Sequence, residues 1–384
     1  MSENPFAILT GEPVPDSRLD ERAVIARGRA RVRRRRGLTA VAAGLTLAIV
    51  IGGVALARPR PEPRPTPVEP SPACTAQPVP GLDSAVLVAM DASGRYLAAT
   101  TADGDDTALV LAGPDGTRTL PTVPRLAVTG VNGAGTVIGI VQTEDAEDGY
   151  VVEGGTTVKL GRPAGALNVT PYAVNDTGDV VGDARMPGKT YRAVVWRRGN
   201  WDRPQLLATP AGEESIANGI AADGRIVGSQ GKSPRPYLWQ PDGTGAPLPT
   251  PEGKPGGVAS DIVGDWAAGP VDYAANSMVL NNGRTVGKPP MTWARWNLRT
   301  GEVRALPGGS QVMAMGSGGL LADGTVVVRG DRTATLWTDT GTTQLPVPDG
   351  FARWQVTGAS ASGVLVGAAS DDHGRTVTFR WACR

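Results

Sequence analysis

The chain reads as an all-β protein, a seven-bladed β-propeller outside a membrane, preceded by one transmembrane helix. Three observations carry this expectation. A ten-residue motif returns seven times, with central glycines Gly94, Gly135, Gly178, Gly224, Gly283, Gly324 and Gly363 spaced 41, 43, 46, 59, 41 and 39 residues apart. A period in the low forties marks one supersecondary unit per repeat. Five repeats go on to a strand ending in tryptophan, at Trp196, Trp239, Trp296, Trp337 and Trp381. Near the N-terminus, "GLTAVAAGLTLAIVIGGVALA" (residues 37 to 57) contains neither charge nor proline.

Residues 1 to 36 hold nine arginines against five acids, and "RVRRRR" abuts the apolar run. That run is about 30 Å long as a helix, enough to cross a bilayer. Arginines beside a span stay cytoplasmic, so the tail is expected inside and everything after Arg58 outside. Two other readings are a cleaved secretory signal ending at Ala55-Leu56-Ala57 and a twin-arginine export signal in "RRRRGL". The long basic segment and the long apolar run favour the uncleaved anchor. Ser17 with Asp20 forms an N-capping pattern, and Leu19, Ala23, Ala26 and Ala30 recur at helical spacing. Thirty-six residues are too few for an independent core. The tail is therefore read as an anchor with lipid-binding arginines or as a docking motif for a cytoplasmic partner.

Residues 58 to 73, "RPRPEPRPTPVEPSPA", are proline-dense and extended, a stalk that holds residues 74 to 384 off the membrane. Residues 58 to 384 carry 29 basic and 32 acidic groups. A mildly acidic domain outside a membrane is a poor partner for nucleic acid.

Within each repeat, Asn/Asp-x-x-Gly between short apolar runs, as in "AVNDTGDVVG", reads as a tight turn whose glycine takes a positive φ, joining strands a and b. A variable polar loop leads to strand c, which ends in tryptophan. A turn such as "TDTGT" then leads to a proline-ended strand d at the outer edge. The tryptophans are read as packing between blades. The interval of 59 residues is taken to contain an insertion, "DIVGDWAAGPVDYAAN", so the repeat count alone also allows six or eight blades.

The last repeat stops at "FRWACR" without a strand d, and the domain opens on "CTAQPVPGL", which aligns with the strand d "TTQLPVPDG" of the sixth. The first segment is therefore expected to complete the last blade. With Cys383 aligned to Asp339 and Cys74 to Thr342, the only two cysteines fall at positions i and i+3 of a turn, within disulfide reach. The stalk then joins the face that carries the a–b and c–d turns, and the b–c loops point away from the membrane.

The b–c loops segregate by charge. Repeats one, two and seven carry Asp103, Asp105, Asp106, Glu144, Asp145, Glu147, Asp148, Asp371 and Asp372. Repeats three, four and six carry "ARMPGKTYR", "SQGKSPRP" and "VRGDRTA". The acids are taken as the ligand-facing residues, suited to a basic partner. Their spacing does not match the twelve-residue calcium loop, so no metal or cofactor is assigned.

His373 is the only histidine, which leaves one exposed residue for any triad and no cluster for zinc. A carboxylate pair, Asp183 with Asp265, each directly after a strand glycine, is the remaining catalytic option, for a glycan hydrolase or lyase. No arginine and aromatic cluster accompanies it, and no catalytic residue is assigned.

The repeats "AVNDTGDVVG…AVVW" and "GIAADGRIVG…YLW" resemble the extracellular propeller-repeat proteins of the HAF family over residues 85 to 384. The histidine-aromatic start of strand c in that family is replaced here by "RAVVW" or "RPYLW". The resemblance implies the fold and no activity. The stretch "EPVPDSRLDERAVIARGRARVRRRRGLTAVAAG" resembles the N-termini of actinobacterial single-span membrane proteins encoded near extracytoplasmic-function sigma factors. That implies an alternative role as a sigma-factor regulator acting through the tail. The leading expectation is a non-catalytic surface module that binds an extracellular protein or envelope ligand.

Overall fold

Alternating apolar and polar residues between turn signals build antiparallel sheets, and seven blades form the domain, six of them four-stranded and one three-stranded among the described residues. The computed structural model describes residues 74–384 apart from 83–84, 104–105, 122, 144–146, 273–276, 280–284, 288–291, 307–318, 331–332, 349, 352, 372, 374 and 384. The expected tail, span and stalk, residues 1–73, lie outside the described residues, among which no helix is long and apolar enough to cross a membrane.

Blade three shows the pattern: a is Asn168–Val174, b is Val180–Met186, c is Thr190–Trp196 and d is Gln205–Leu206. Blade four repeats it with Ser215–Ile220, Ile226–Gln230, Arg235–Trp239 and Gly245–Pro247. Blades one and two occupy Ala85–Leu120 and Ala127–Lys159 in the same order. In blade six, among the described residues, a bridge from Leu320 to Val326 lies beside three full strands.

The fifth repeat corrects the sequence reading. Its a–b hairpin is Asp261–Val263 with Trp266–Val271, inside the stretch taken as an insertion. The motif "MVLNNGRTVG" instead supplies a separate two-stranded hairpin, Ser277–Val279 with Thr285–Gly287, placed between strands b and c. Turn residues and β-branched neighbours make any hairpin look like the repeat. Only the pairing of Trp266–Val271 with Thr292–Asn297 tells which one is built into the blade.

Each a–b turn glycine among the described repeats has the expected positive φ: 75° at Gly94, 76° at Gly135, 86° at Gly178 and Gly224, 82° at Gly324 and 85° at Gly363. A second glycine serves a different purpose. Strand a carries a bulge in blades two, three, four and seven, at Thr129, Tyr172, Asn218 and Thr357. The bulge pushes an inner-strand carbonyl against strand b. A Cβ at Gly182, Gly228 or Gly367 would lie 2.0, 1.9 and 1.9 Å from the carbonyl oxygens of Thr170, Ile216 and Gln355. The glycine that closes each "VVG", "IVG" or "LVG" is thus required by its neighbour strand.

The repeated tryptophans stitch the blades together. Trp196, Trp239, Trp296 and Trp381 are essentially fully buried. Their indole N–H groups donate to Gly161, Ala208, Pro249 and Pro346 carbonyls of the preceding blade at 2.8, 2.8, 2.6 and 3.1 Å. The a–b turns link round the ring as well. Asn132 Oδ1 accepts from Ala134 and Thr136 N–H within its own turn, while its Nδ2 donates 2.9 Å to Asn175 O. Asn175 repeats the device toward Ala221 O at 3.1 Å.

Between blades five and six the link is Arg295, only 3% exposed. Its guanidinium lies 4.5 and 4.6 Å from the ring centres of Trp266 and Trp337. It donates to Gly324 O at 2.7 Å and to the Asp339 carboxylate.

The ring closes as expected. Cys74–Pro78 is the outer strand of blade seven, paired with Thr376–Cys383. Cys74 and Cys383 form a disulfide across 309 residues, with Cα atoms 4.1 Å apart. Backbone N–H of Ala361 then reaches Ala92 O of blade one at 2.8 Å. One detail differs from the alignment. Trp381 pairs with Ala76 as Trp337 pairs with Thr342, so Cys74 matches Thr340 and not Thr342. The disulfide stands where blade six has a direct peptide link. Pairing of Val364 with Ala382 puts it beside the a–b turn of blade seven, so the chain enters on the a–b and c–d turn side.

Candidate functional site

The b–c face carries the residues singled out for ligand contact, and the structure divides them. Asp105, Glu144, Asp145 and Asp372 lie outside the described residues. Asp103 and Asp106 are cross-strand register partners at the end of strands b and c of blade one. Asp148 is held by Lys159 at 2.7 Å and by Arg162, which also donates 2.6 Å to Leu167 O. Burial alone would raise its pKa; hydrogen bonds from Lys159 and Arg162, and their charges, outweigh that and hold it below the usual value.

Glu147 accepts a hydrogen bond from Thr170. Asp371 Oδ1 accepts backbone N–H bonds from His373 and Arg375 at 2.9 Å each. Burial opposes ionisation there too, but those N–H groups and then the nearby charges of Arg375 and His373 keep the carboxyl low. The described acids of blades two and seven are therefore occupied within their own blades or by the next strand. Among the described residues no three His, Cys, Asp or Glu side chains come together as a metal site.

The opposite side of the same face is less satisfied. The side chains of Arg185, Arg192, Lys232 and Arg235 of blades three and four enter no hydrogen bond or ion pair with another described residue, and the Nε atoms of Arg185 and Arg192 are buried. Glu214, at the entry to blade four, is pushed up by burial, partly offset by the Lys232 charge. Sequence reasoning noted these loops as basic. It missed that the Arg185, Arg192, Lys232 and Arg235 side chains meet no partner among the described residues while the described acids of blades two and seven do, because pairing depends on which d strand and which blade-to-blade connection come alongside.

The channel offers a second concavity. A cavity of about 110 Å3 lies at its a–b-turn end, lined by the bulged Thr129, Tyr172 and Asn218, by Asp261 and by strand ends such as Met90 and Ile262. It has room for several waters. Asp183 does not line it: the carboxylate is fully buried behind Tyr172, whose hydroxyl donates 2.7 Å to Asp183 Oδ2. Asp265 sits on the exposed a–b turn of blade five, 3.4 Å from Arg225 and 3.7 Å from Arg299. The two carboxylates considered as a catalytic pair are thus on different blades, one enclosed and one solvated, with no shared cleft. The strand glycine before Asp265 proved to be a turn glycine, Gly264, with φ of 54°.

No family model matches the chain, and no curated protein matches it. Among solved structures it is similar to streptogramin B lyase, at 13% identity over 82% of this chain and 98% of that one, TM-score 0.46. A chain of the mitotic checkpoint complex matches at 15% identity over 87% and 99%, TM-score 0.46. The Pyrococcus horikoshii acylaminoacyl peptidase matches at 12% over 75% of this chain and 50% of that one, TM-score 0.47. At these values the similarities say nothing about activity or ligand.

Proposed function

We propose that this protein is a membrane-anchored, extracellular propeller that binds a protein or envelope ligand through its b–c face, without turnover. A rigid ring of blades suits a binding or scaffold module, with variable loops on a fixed frame. The observation that carries the reading is the position of Cys74. The chain enters on the a–b and c–d turn side, so a stalk arriving there leaves the b–c face opposite and free to meet a partner.

The test uses the full chain in lipid nanodiscs, exposed to fractionated cell envelope. One variant replaces residues 143–146 and 187–189 of the b–c loops with Gly-Ser, and a second replaces Arg225 and Asp265 on the a–b side. Capture of a component by the wild type and the second variant, but not by the first, is the expected result. Equal capture by the first variant, or no capture by the wild type, would overturn the reading and move attention to the cytoplasmic tail.

A further inference from the structure

The junction of blades three and four holds buried polar atoms without partners, and they are complementary to a peptide main chain. Strand alternation sets the geometry. Val181 and Ala193 pack on blade four, and Arg185 lies on the same face of its strand. Ile226 and Tyr237 pack on blade three, and Gln230, 6% exposed, lies on that face of blade four. The two residues therefore look into one seam at the b–c edge. Ser215 marks its floor: it pairs with Gln230, and its Oγ accepts Ala193 N–H at 2.9 Å.

Three atoms in this seam make no hydrogen bond among the described residues: the Nε–H of Arg185, the Nε2 amide of Gln230 and the Oε2 of Glu213. Two are donors and one is an acceptor. Glu213 Oε2 would lie 3.9 Å from a Cβ at Gly231, the neighbour of Gln230, which places it at the same edge. Burial, followed by the Glu213 charge, pushes the nearby Tyr237 hydroxyl up. Buried polar groups are ordinarily paired, so a seam with orphan donors and an orphan acceptor is incomplete without something bound there.

An apolar contact adjoins it. Leu167 is 48% exposed, one of three large exposed hydrophobics among the described residues, and its N–H donates 2.8 Å to Arg185 O. The surrounding charge is positive, with Arg185, Lys232 and Arg235 against Glu213 and Glu214, since Asp183 is enclosed behind Tyr172.

We propose that this seam binds an extended acidic peptide segment of the partner. Carbonyl oxygens of the segment accept from Arg185 and Gln230, one of its N–H groups donates to Glu213, and an apolar side chain rests on Leu167. Acidic side chains of the segment face Lys232 and Arg235. The proposal rests on the b–c face being the binding face and adds the chemical class of ligand and the blades that read it.

The probes are two dye-labelled octapeptide pools, one rich in Asp and Glu and one rich in Lys and Arg, titrated by fluorescence anisotropy against the full chain in nanodiscs. The expected result is that the acidic pool binds and the basic pool does not. Gln230→Leu and Arg185→Met should each weaken the acidic pool at least tenfold, and Arg225→Met on the opposite face should leave it unchanged. Arg185→Lys and Gln230→Glu, checked by unfolding midpoint, separate lost recognition from lost folding. Equal binding by wild type and seam variants would overturn the proposal, as would binding of the basic pool alone. Envelope capture that persists while the acidic pool fails to bind would reject this seam and keep the b–c reading. Envelope capture that ignores the b–c loops would reject that reading itself.

Discussion

Replacing Cys74 and Cys383 by serine should cost this domain more than any other two-atom change. The bond spans 309 residues. In the chain-entropy model such a loop removes about 5.7 kcal/mol from the unfolded ensemble, and measured values commonly fall to about 2–5. The folded state loses little, because Thr75 to Pro78 still pair with Phe379 to Ala382. The assay is urea unfolding of the full chain followed by tryptophan fluorescence, which reports the blade-to-blade stitching directly because four indoles bridge neighbours. The double variant is expected to lose about 3–5 kcal/mol, and reduced wild type should match it. A loss under about 1 kcal/mol, with the slope in urea unchanged, would refute the reasoning, since the ring would then be closed sufficiently by strand pairing alone.

Gly228→Ala should destabilise by about 3 kcal/mol or more, the upper range for overpacking, because its Cβ would lie 1.9 Å from Ile216 O. Gly243→Ala, at φ of 87° with nothing within 4 Å, should cost only about 1–2 kcal/mol; the comparison of unfolding midpoints checks both. Arg295→Met removes two ring contacts and the bond to Gly324 O, for an expected loss of about 2–3 kcal/mol, measured by thermal unfolding. Arg295→Lys should recover less than half of it, since an ammonium lacks the planar fork.

Asp148→Asn should cost about 1 kcal/mol at neutral pH. The folded pKa of Asp148 lies below 3.8, so its stabilisation is present above that value and is lost as pH falls through the folded pKa. The variant and wild type should therefore converge in acid, and a difference that grew on acidification would contradict the assignment.

The blade pattern was legible in the linear sequence because turn chemistry and strand alternation are local. Asn132 and Gly135 specify their turn whatever surrounds them, and Trp196 marks the end of strand c by composition alone. Ring closure was legible too, since a missing last strand and a spare first one complement each other. What local pattern could not decide was which of two equally good hairpins belongs to blade five, because membership depends on pairing with Thr292–Asn297 about twenty residues away.

The closing glycine of the repeat had no visible reason until the bulge at Thr129, Tyr172 and Asn218 brought a carbonyl against it. Charge was the least legible property. Composition marked Asp148 and Arg185 as equal and opposite surface groups, yet Lys159 and Arg162 reach the Asp148 carboxylate and no described residue pairs with the Arg185 guanidinium. Charge and hydrogen-bonding capacity are written in single residues, whereas their satisfaction is a relation between residues that only the packed ring brings within about 3 Å.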